Sequence, residues 1–156
     1  MKQVIWVIVV LLVIWGVYAL ATKSSAPTEP AAPVATEPAA PAVVNAVDAA
    51  DQKPGKEVLV ASYTLSAPGY IEIHAVAAND TPGALIGGSE LLPAGTGAAV
   101  KVALTTATKD GQKVIVMLHL DTDGNGKFDA TLDMPATMAT ATGGQAVVMK
   151  MVAVKK

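Results

Sequence analysis

Val114–Asp133 reads VIVMLHLDTDGNGKFDATLD, an apolar run that stops abruptly at an acidic, glycine-rich loop. Counting from Lys113, the run alternates: Val114, Val116, Leu118 and Leu120 point one way, Ile115, Met117 and His119 the other. Period-two alternation is the signature of a strand. Apolar residues on both faces predict a central strand covered on both sides. The loop then carries Asp121, Asp123, Asp129 and Asp133, four of the thirteen acidic residues, and a histidine stands just before it.

Other strands are predicted on either side. Glu57–Leu65 alternates, with Val58, Val60, Ser62 and Thr64 on one face and Leu59, Ala61, Tyr63 and Leu65 on the other. Tyr70–Ala77 places Ile71, Ile73 and Ala75 opposite Glu72, His74 and Val76. Ala98–Thr105 and Gln145–Val154 complete the strong signals, with a short Ala84–Ile86 segment between. Turns are expected at Ala67-Pro68-Gly69, at Asn79–Gly83 with Pro82-Gly83 in type II positions, at Lys109-Asp110-Gly111 and at Thr142-Gly143-Gly144. With no amphipathic helix pattern between them, these strands predict an all-β, immunoglobulin-like antiparallel sandwich of about seven strands over residues 45–156.

Two segments precede that domain. Val4–Ala21 is eighteen residues without a charge. At ~1.5 Å per residue a helix there spans ~27 Å, close to the ~30 Å of a bilayer core. Trp15 and Tyr18 suit the membrane interface, and Lys23 closes the segment. Residues 1–21 are therefore read as a signal-anchor transmembrane helix. Ala19-Leu20-Ala21 leaves a cleaved signal as the competing reading. Either one exports everything that follows. Residues 22–44 form a Pro/Ala-rich linker in which Thr-Glu-Pro-Ala-Ala-Pro occurs at 28–33 and again at 36–41. Proline removes amide donors and fixes φ, so a disordered or polyproline stalk is expected. The expected location is the cell membrane, single-pass, with the C-terminal domain outside the cytoplasm.

Composition narrows the function. Among 156 residues there is no Cys and no Arg, and the net charge is −2. Disulfide frameworks, thiolate metal sites and cysteine nucleophiles are excluded. The basic footprint of a nucleic-acid binder is missing. No nucleophile elbow, His-Glu-x-x-His helix or phosphate loop occurs, so a non-enzymatic role is expected.

Two constellations carry chemistry. Asp121, Asp123, Asn125, the Lys127 carbonyl and Asp129 fall at positions 1, 3, 5, 7 and 9 of a calcium loop, with Gly126 at 6. Position 12, usually a bidentate Glu, is Leu132, with Asp133 one place later, so this is the first half of a calcium loop with Asp129 or Asp133 expected to complete the shell. Asp-Gly and Asn-Gly are also hairpin signals, so a bare hairpin tip with solvated carboxylates is the competing reading. The second constellation is His74 and His119, the only histidines, each on the less apolar face of its strand. If those strands are neighbours, the rings can share zinc or copper. Hydrogen-bonded structural histidines are the plain alternative.

Three stretches occur together in order: Pro68-Gly-Tyr-Ile-Glu-Ile-His74; Asp80-Thr-Pro-Gly83 through Leu85-Ile86-Gly87 to Ser89 and Leu91; and Val116-Met-Leu-His119-x-Asp121 with the acidic loop and Asp133-Met-Pro135. In this the chain resembles the exported β-sandwich family called domain of unknown function 7282, over about residues 55–154. The resemblance implies a sandwich in the cell envelope and assigns no site residue. The leading expectation is a membrane-anchored extracytoplasmic module with a structural or interaction role. Calcium is its candidate ion, and a protein or surface polymer its candidate partner. The alternative is a transition-metal-binding protein using His74 and His119.

Overall fold

The computed structural model describes residues 42–156. The expected membrane segment, and the linker up to residue 41, lie outside the described residues. Among the described residues no helix is long and apolar enough to cross a membrane.

The most apolar strand of the sequence lies inside a sheet. It is β6 (Lys113–Leu120), paired antiparallel to β3 (Gly69–Val76) on one side and β9 (Met149–Ala153) on the other. β4 (Pro82–Gly88) closes the far edge, so the order is β4-β3-β6-β9. A second sheet holds β1 (Ala46–Asp48), β2 (Glu57–Leu65) and β5 (Gly95–Ala103) in the order β1-β2-β5. Its inner side chains Val58, Val60, Leu65 and Val102 meet Ile71, Ile73, Val114, Val116, Leu118 and Val152 of the four-stranded sheet in one buried core. Each such side chain stabilises the fold by about 1.5–3 kcal/mol through removal from water. The expected sandwich of about seven strands is thus present as these two antiparallel sheets. β7 (Thr137–Ala139) and β8 (Gln145–Val147) add a separate two-stranded hairpin.

The details depart from simple alternation in three places. In β2 the buried set is Val58 and Val60, then Tyr63 and Leu65, so the inward face changes parity in mid-strand. Its partner β5 changes at the same level, where Ala99 takes a left-handed φ of 54°. That residue breaks the two-residue period on which the expected faces depended. Second, Pro82 and Gly83 open β4; they do not form the turn. The chain reverses earlier, through a 3-10 turn at Ala78–Asp80 where Asn79 and Asp80 have positive φ. Third, the expected final strand is divided. β8 turns away from the sheet with β7, and Val148 marks the junction by accepting from Leu118 N while donating to Ala136 O.

Close backbone approach fixes where β3 starts. Gly69 lies against the carbonyl of His119, and a Cβ there would collide with that oxygen. Gly55, in contrast, has no atom near the place a Cβ would occupy. Gly69→Ala should therefore destabilise the domain by several kcal/mol by forcing β3 away from β6, while Gly55→Ala stays within about 0.5 kcal/mol of wild type. Denaturant midpoints of the two variants measure this directly; equal midpoints would refute the close approach.

Candidate functional site

The acidic loop hangs from the end of β6 and is wider than a hairpin tip. Leu120 N next finds a cross-chain partner at Met134 O, and Ala136 N donates to Leu118 O. Residues 121–133 therefore form a closed excursion, not the two-residue turn that Asp-Gly or Asn-Gly alone would give. Gly124 and Gly126 take positive φ of 70° and 71°, the conformation that lets the chain curl so tightly.

Within this curl, carboxylate oxygens of Asp121, Asp123 and Asp133 lie within 4.8 Å of one another. Of the two residues expected to complete the shell, Asp129 and Asp133, it is Asp133 that joins the group. It is 1% exposed, and its carboxylate accepts from Thr122 N at 3.0 Å and Asp129 N at 2.7 Å. The other spaced residues are engaged locally. Asn125 Oδ1 accepts from Lys127 N, and its amide donates to Asp123 Oδ2. Asp129 is exposed and turns its carboxylate to the amide and hydroxyl of Thr131, which hold it below the usual carboxylate range. So Asp121 and Asp123 come together as expected, while Asn125, Lys127 and Asp129 shape the turn. The signal for Asp133 was its position one residue beyond the missing twelfth-position Glu.

The second constellation lies directly beneath. On the outer face of the four-stranded sheet, β3 and β6 set Tyr70 opposite His119, Glu72 opposite Met117, and His74 opposite Ile115. The two strands are neighbours, and the imidazoles of His74 and His119 stack with ring centres 6.3 Å apart. Phe128 of the acidic loop packs edge-on against His119 at 5.2 Å and Tyr70 at 5.5 Å. This cover buries an unusual set of polar groups. Tyr70 Oη, Glu72 Oε2, both histidine Nε2 atoms and Asp121 Oδ1 are buried with no hydrogen-bond partner among the described residues. Both Nδ1 atoms face backbone carbonyls, His74 toward Gly83 O and His119 toward Asp133 O, each at 3.0 Å. A carbonyl only accepts, so both rings must carry their proton on Nδ1.

Glu72 and Phe128 also line an open cleft of about 270 Å³ with Leu85, Gly87, Gly88, Ser89 and Thr105. Burial, with the Asp133 charge added, raises the Glu72 carboxyl to about 8. Burial also lowers the His119 imidazole, against the opposing pull of the Asp133 carbonyl. At neutral pH the Glu72 carboxyl keeps its proton and burial favours the neutral form of the His119 imidazole. Glu72 was not among the expected site residues, since a lone Glu on an alternating strand reads as a solvated face.

Fold and site together describe an antiparallel β-sandwich with one acidic loop clamped over a buried polar layer. The chain belongs to the family described as "Domain of unknown function (DUF7282)", whose model matches residues 45–154 and so takes in β1 as well as the three resembling stretches. It is also similar to two curated proteins of Haloarcula hispanica. Cell surface glycoprotein 2 is 38% identical over 78 residues, which is 50% of this chain and 8% of that protein. Cell surface glycoprotein 1 is 37% identical over 78 residues, with the same shares. The matched segment is thus less than a tenth of the curated relatives' length. No solved structure matches the chain.

Two outcomes follow from this geometry. Asp133→Ala leaves two loop amides without their acceptor and should cost about 2–6 kcal/mol, at about 1–3 kcal/mol per orphaned group. Chemical denaturation reads this, and a loss under about 0.5 kcal/mol would show that the loop is not clamped by this carboxylate. Glu72 gives a pH dependence. Its folded value of about 8 lies above the ordinary 4.5, so the folded state holds a proton that the unfolded state releases. Stability should therefore fall as pH rises from about 4.5 to about 8 and then level off. In chelator-containing buffer, Glu72→Gln should remove that decline and exceed wild type above pH 8. A wild-type curve that is flat across this window would contradict the burial of an ionisable Glu72.

Proposed function

We propose that this chain is a non-enzymatic, extracytoplasmic module of the cell surface, immunoglobulin-like in its sheet order and held to the membrane by its N-terminal segment on a Pro/Ala stalk. The strand order supports the immunoglobulin-like reading: first, second and fifth strands face third, sixth and ninth, with the fourth strand paired to the third. Surface placement is supported by the similarity to two cell surface glycoproteins and by the uncharged Val4–Ala21 run. The role is structural or adhesive, toward a protein or surface polymer.

The acidic loop is read as the module's calcium-dependent clasp. The observation that carries this is the convergence of three carboxylates, from Asp121, Asp123 and Asp133, on a loop that closes with Phe128 against the sheet. Calcium takes about six to eight oxygens from carboxylates, carbonyls and water, and a flexible Asp/Asn/Gly loop suits it better than magnesium's rigid octahedron. In a chain without cysteine, an ion is one way for an exported domain to pin a long loop.

Two measurements test the proposal. In intact cells a C-terminal tag should react with a membrane-impermeant reagent; protection until lysis would overturn the extracytoplasmic reading. For the full-length protein, calcium at about a hundredfold over its Kd should add about 2.7 kcal/mol of stability, seen as a rise in Tm. The rise should vanish in an Asp121→Asn, Asp123→Asn double variant. No calorimetric heat and no change in Tm at millimolar calcium would reject the clasp.

A further inference from the structure

We propose that His74 and His119, with Glu72 and Met117 in the row between them, bind a single late transition-metal ion of the zinc–copper group beneath Phe128.

The register carries the first step. Tyr70–His119, Glu72–Met117 and His74–Ile115 are successive cross-strand rows on one face. At ~3.3 Å per residue the two histidine rows are ~13 Å apart along the strands. Yet the ring centres are 6.3 Å apart. Both side chains therefore lean toward each other over the Glu72–Met117 row. Two imidazoles sharing one ion at ~2.0–2.1 Å have ring centres about 5 Å apart at a tetrahedral angle and about 6.4 Å apart when the ion sits nearly in line between them. The observed 6.3 Å matches the near-linear arrangement, and a small closure of the two side chains reaches the tetrahedral one.

The second step is the protonation pattern. Each Nδ1 is occupied by a backbone carbonyl, which leaves the Nε2 lone pair as the free donor on both rings. Metal-ligating histidines have this arrangement, because the outer hydrogen bond fixes ring orientation and tautomer. Both Nε2 atoms are buried without a partner, and so is Glu72 Oε2. His119 is 6% exposed and Glu72 1%, so these are interior groups, not surface side chains awaiting water. A buried polar atom without a partner costs about 1–3 kcal/mol. A bound ion would remove that cost for the two imidazole nitrogens, and for Glu72 Oε2 once its side chain turns from Gly88 toward the rings.

The third step is the donor set. Imidazole suits zinc and copper, and thioether adds a preference for copper(I). Met117 faces Glu72 across the β3–β6 ladder and Met149 across the β6–β9 ladder, so soft donors continue from the interior to the exposed edge. Glu72 lies over Gly88, where a side chain would displace it, and it borders the open cleft that Phe128 also lines. The ion enters from that side, and a side-chain rotation of Glu72 toward the rings, with its proton released to solvent as the ion binds, supplies the third ligand. This nitrogen-bearing site is chemically separate from the all-oxygen acidic loop and does not rest on calcium binding there.

The test uses the full-length protein stripped by chelation and probed with zinc(II) and copper(II) chloride. One equivalent of metal should bind the wild type and raise its Tm. A His74→Gln, His119→Gln variant should lose at least a hundredfold in affinity. Copper(II) on the wild type should give an electron paramagnetic resonance signal split by two imidazole nitrogens, a readout that needs no variant to fold. Asp123→Asn, at an exposed carboxylate outside the buried layer, should leave this binding intact. The inference is overturned if neither ion binds stoichiometrically, if the histidine variant binds as tightly as wild type, or if the signal shows no nitrogen coupling. It is likewise overturned if Asp123→Asn alone abolishes uptake, an outcome that would assign the metal to the acidic loop.

Discussion

His119 donates from Nδ1 to the carbonyl of Asp133, and this one hydrogen bond ties the most buried strand to the far end of its own loop. Asp133 then spends its carboxylate on the amides of Thr122 and Asp129. The start and the middle of the loop are thereby gathered at one buried residue. Phe128, held between them, is pressed onto Tyr70 and His119. Without that clamp the outer face at this end of the sheet would be open to water, and the row of Glu72, His74 and His119 would be an ordinary polar surface.

The sandwich separates two kinds of packing. Its inner layer is aliphatic, from Val58 and Val60 on one sheet to Ile71, Ile73, Val114, Val116 and Leu118 on the other. Such a layer tolerates hydrophobic exchange and carries most of the stability. The outer layer over β3 and β6 sets buried Tyr70, Glu72 and His119 and half-buried His74 among Ile115 and Met117, and burying such polar groups is costly in a low-dielectric interior unless they find partners. Each histidine satisfies one nitrogen on a backbone carbonyl and leaves the other free. That half-satisfied state, together with a carboxyl that burial keeps protonated, gives this end of the molecule its chemical character. Membership of the DUF7282 family and similarity to cell surface glycoproteins describe what surrounds the site; the site itself is read from these side chains.

Much of the fold was legible because period-two alternation is a local property. β6 and β3 occur where Lys113–Leu120 and Tyr70–Ala77 predicted them, and both are neighbours in one sheet. The faces of β2 were legible only as far as Val60, because the left-handed Ala99 on the partner strand shifts the parity of both. The expected last strand hid a division at Val148, whose hydrogen bonds to Leu118 and Ala136 no single-strand pattern announces. Of the site, Asp121, Asp123, His74 and His119 were visible by residue type and spacing. Glu72 was not, and Met117 and Phe128 were visible only as the methionine two residues before His119 and the apolar residue of the loop, since their contacts come from cross-strand register and from where a long loop lands.

By itself, then, the sequence determined the strands, the chemistry available and the classes excluded. Side-chain alternation, proline and glycine placement, and the absence of cysteine and arginine are properties of the chain alone. Only the tertiary structure decided which carboxylates meet, with Asp133 joining Asp121 and Asp123 in place of Asp129. It alone decided that two histidines forty-five positions apart lean together over a buried glutamate. The physical reason is that convergence depends on register and on loop closure. Both are settled by the burial of Phe128 and Asp133 against a sheet assembled from distant parts of the chain.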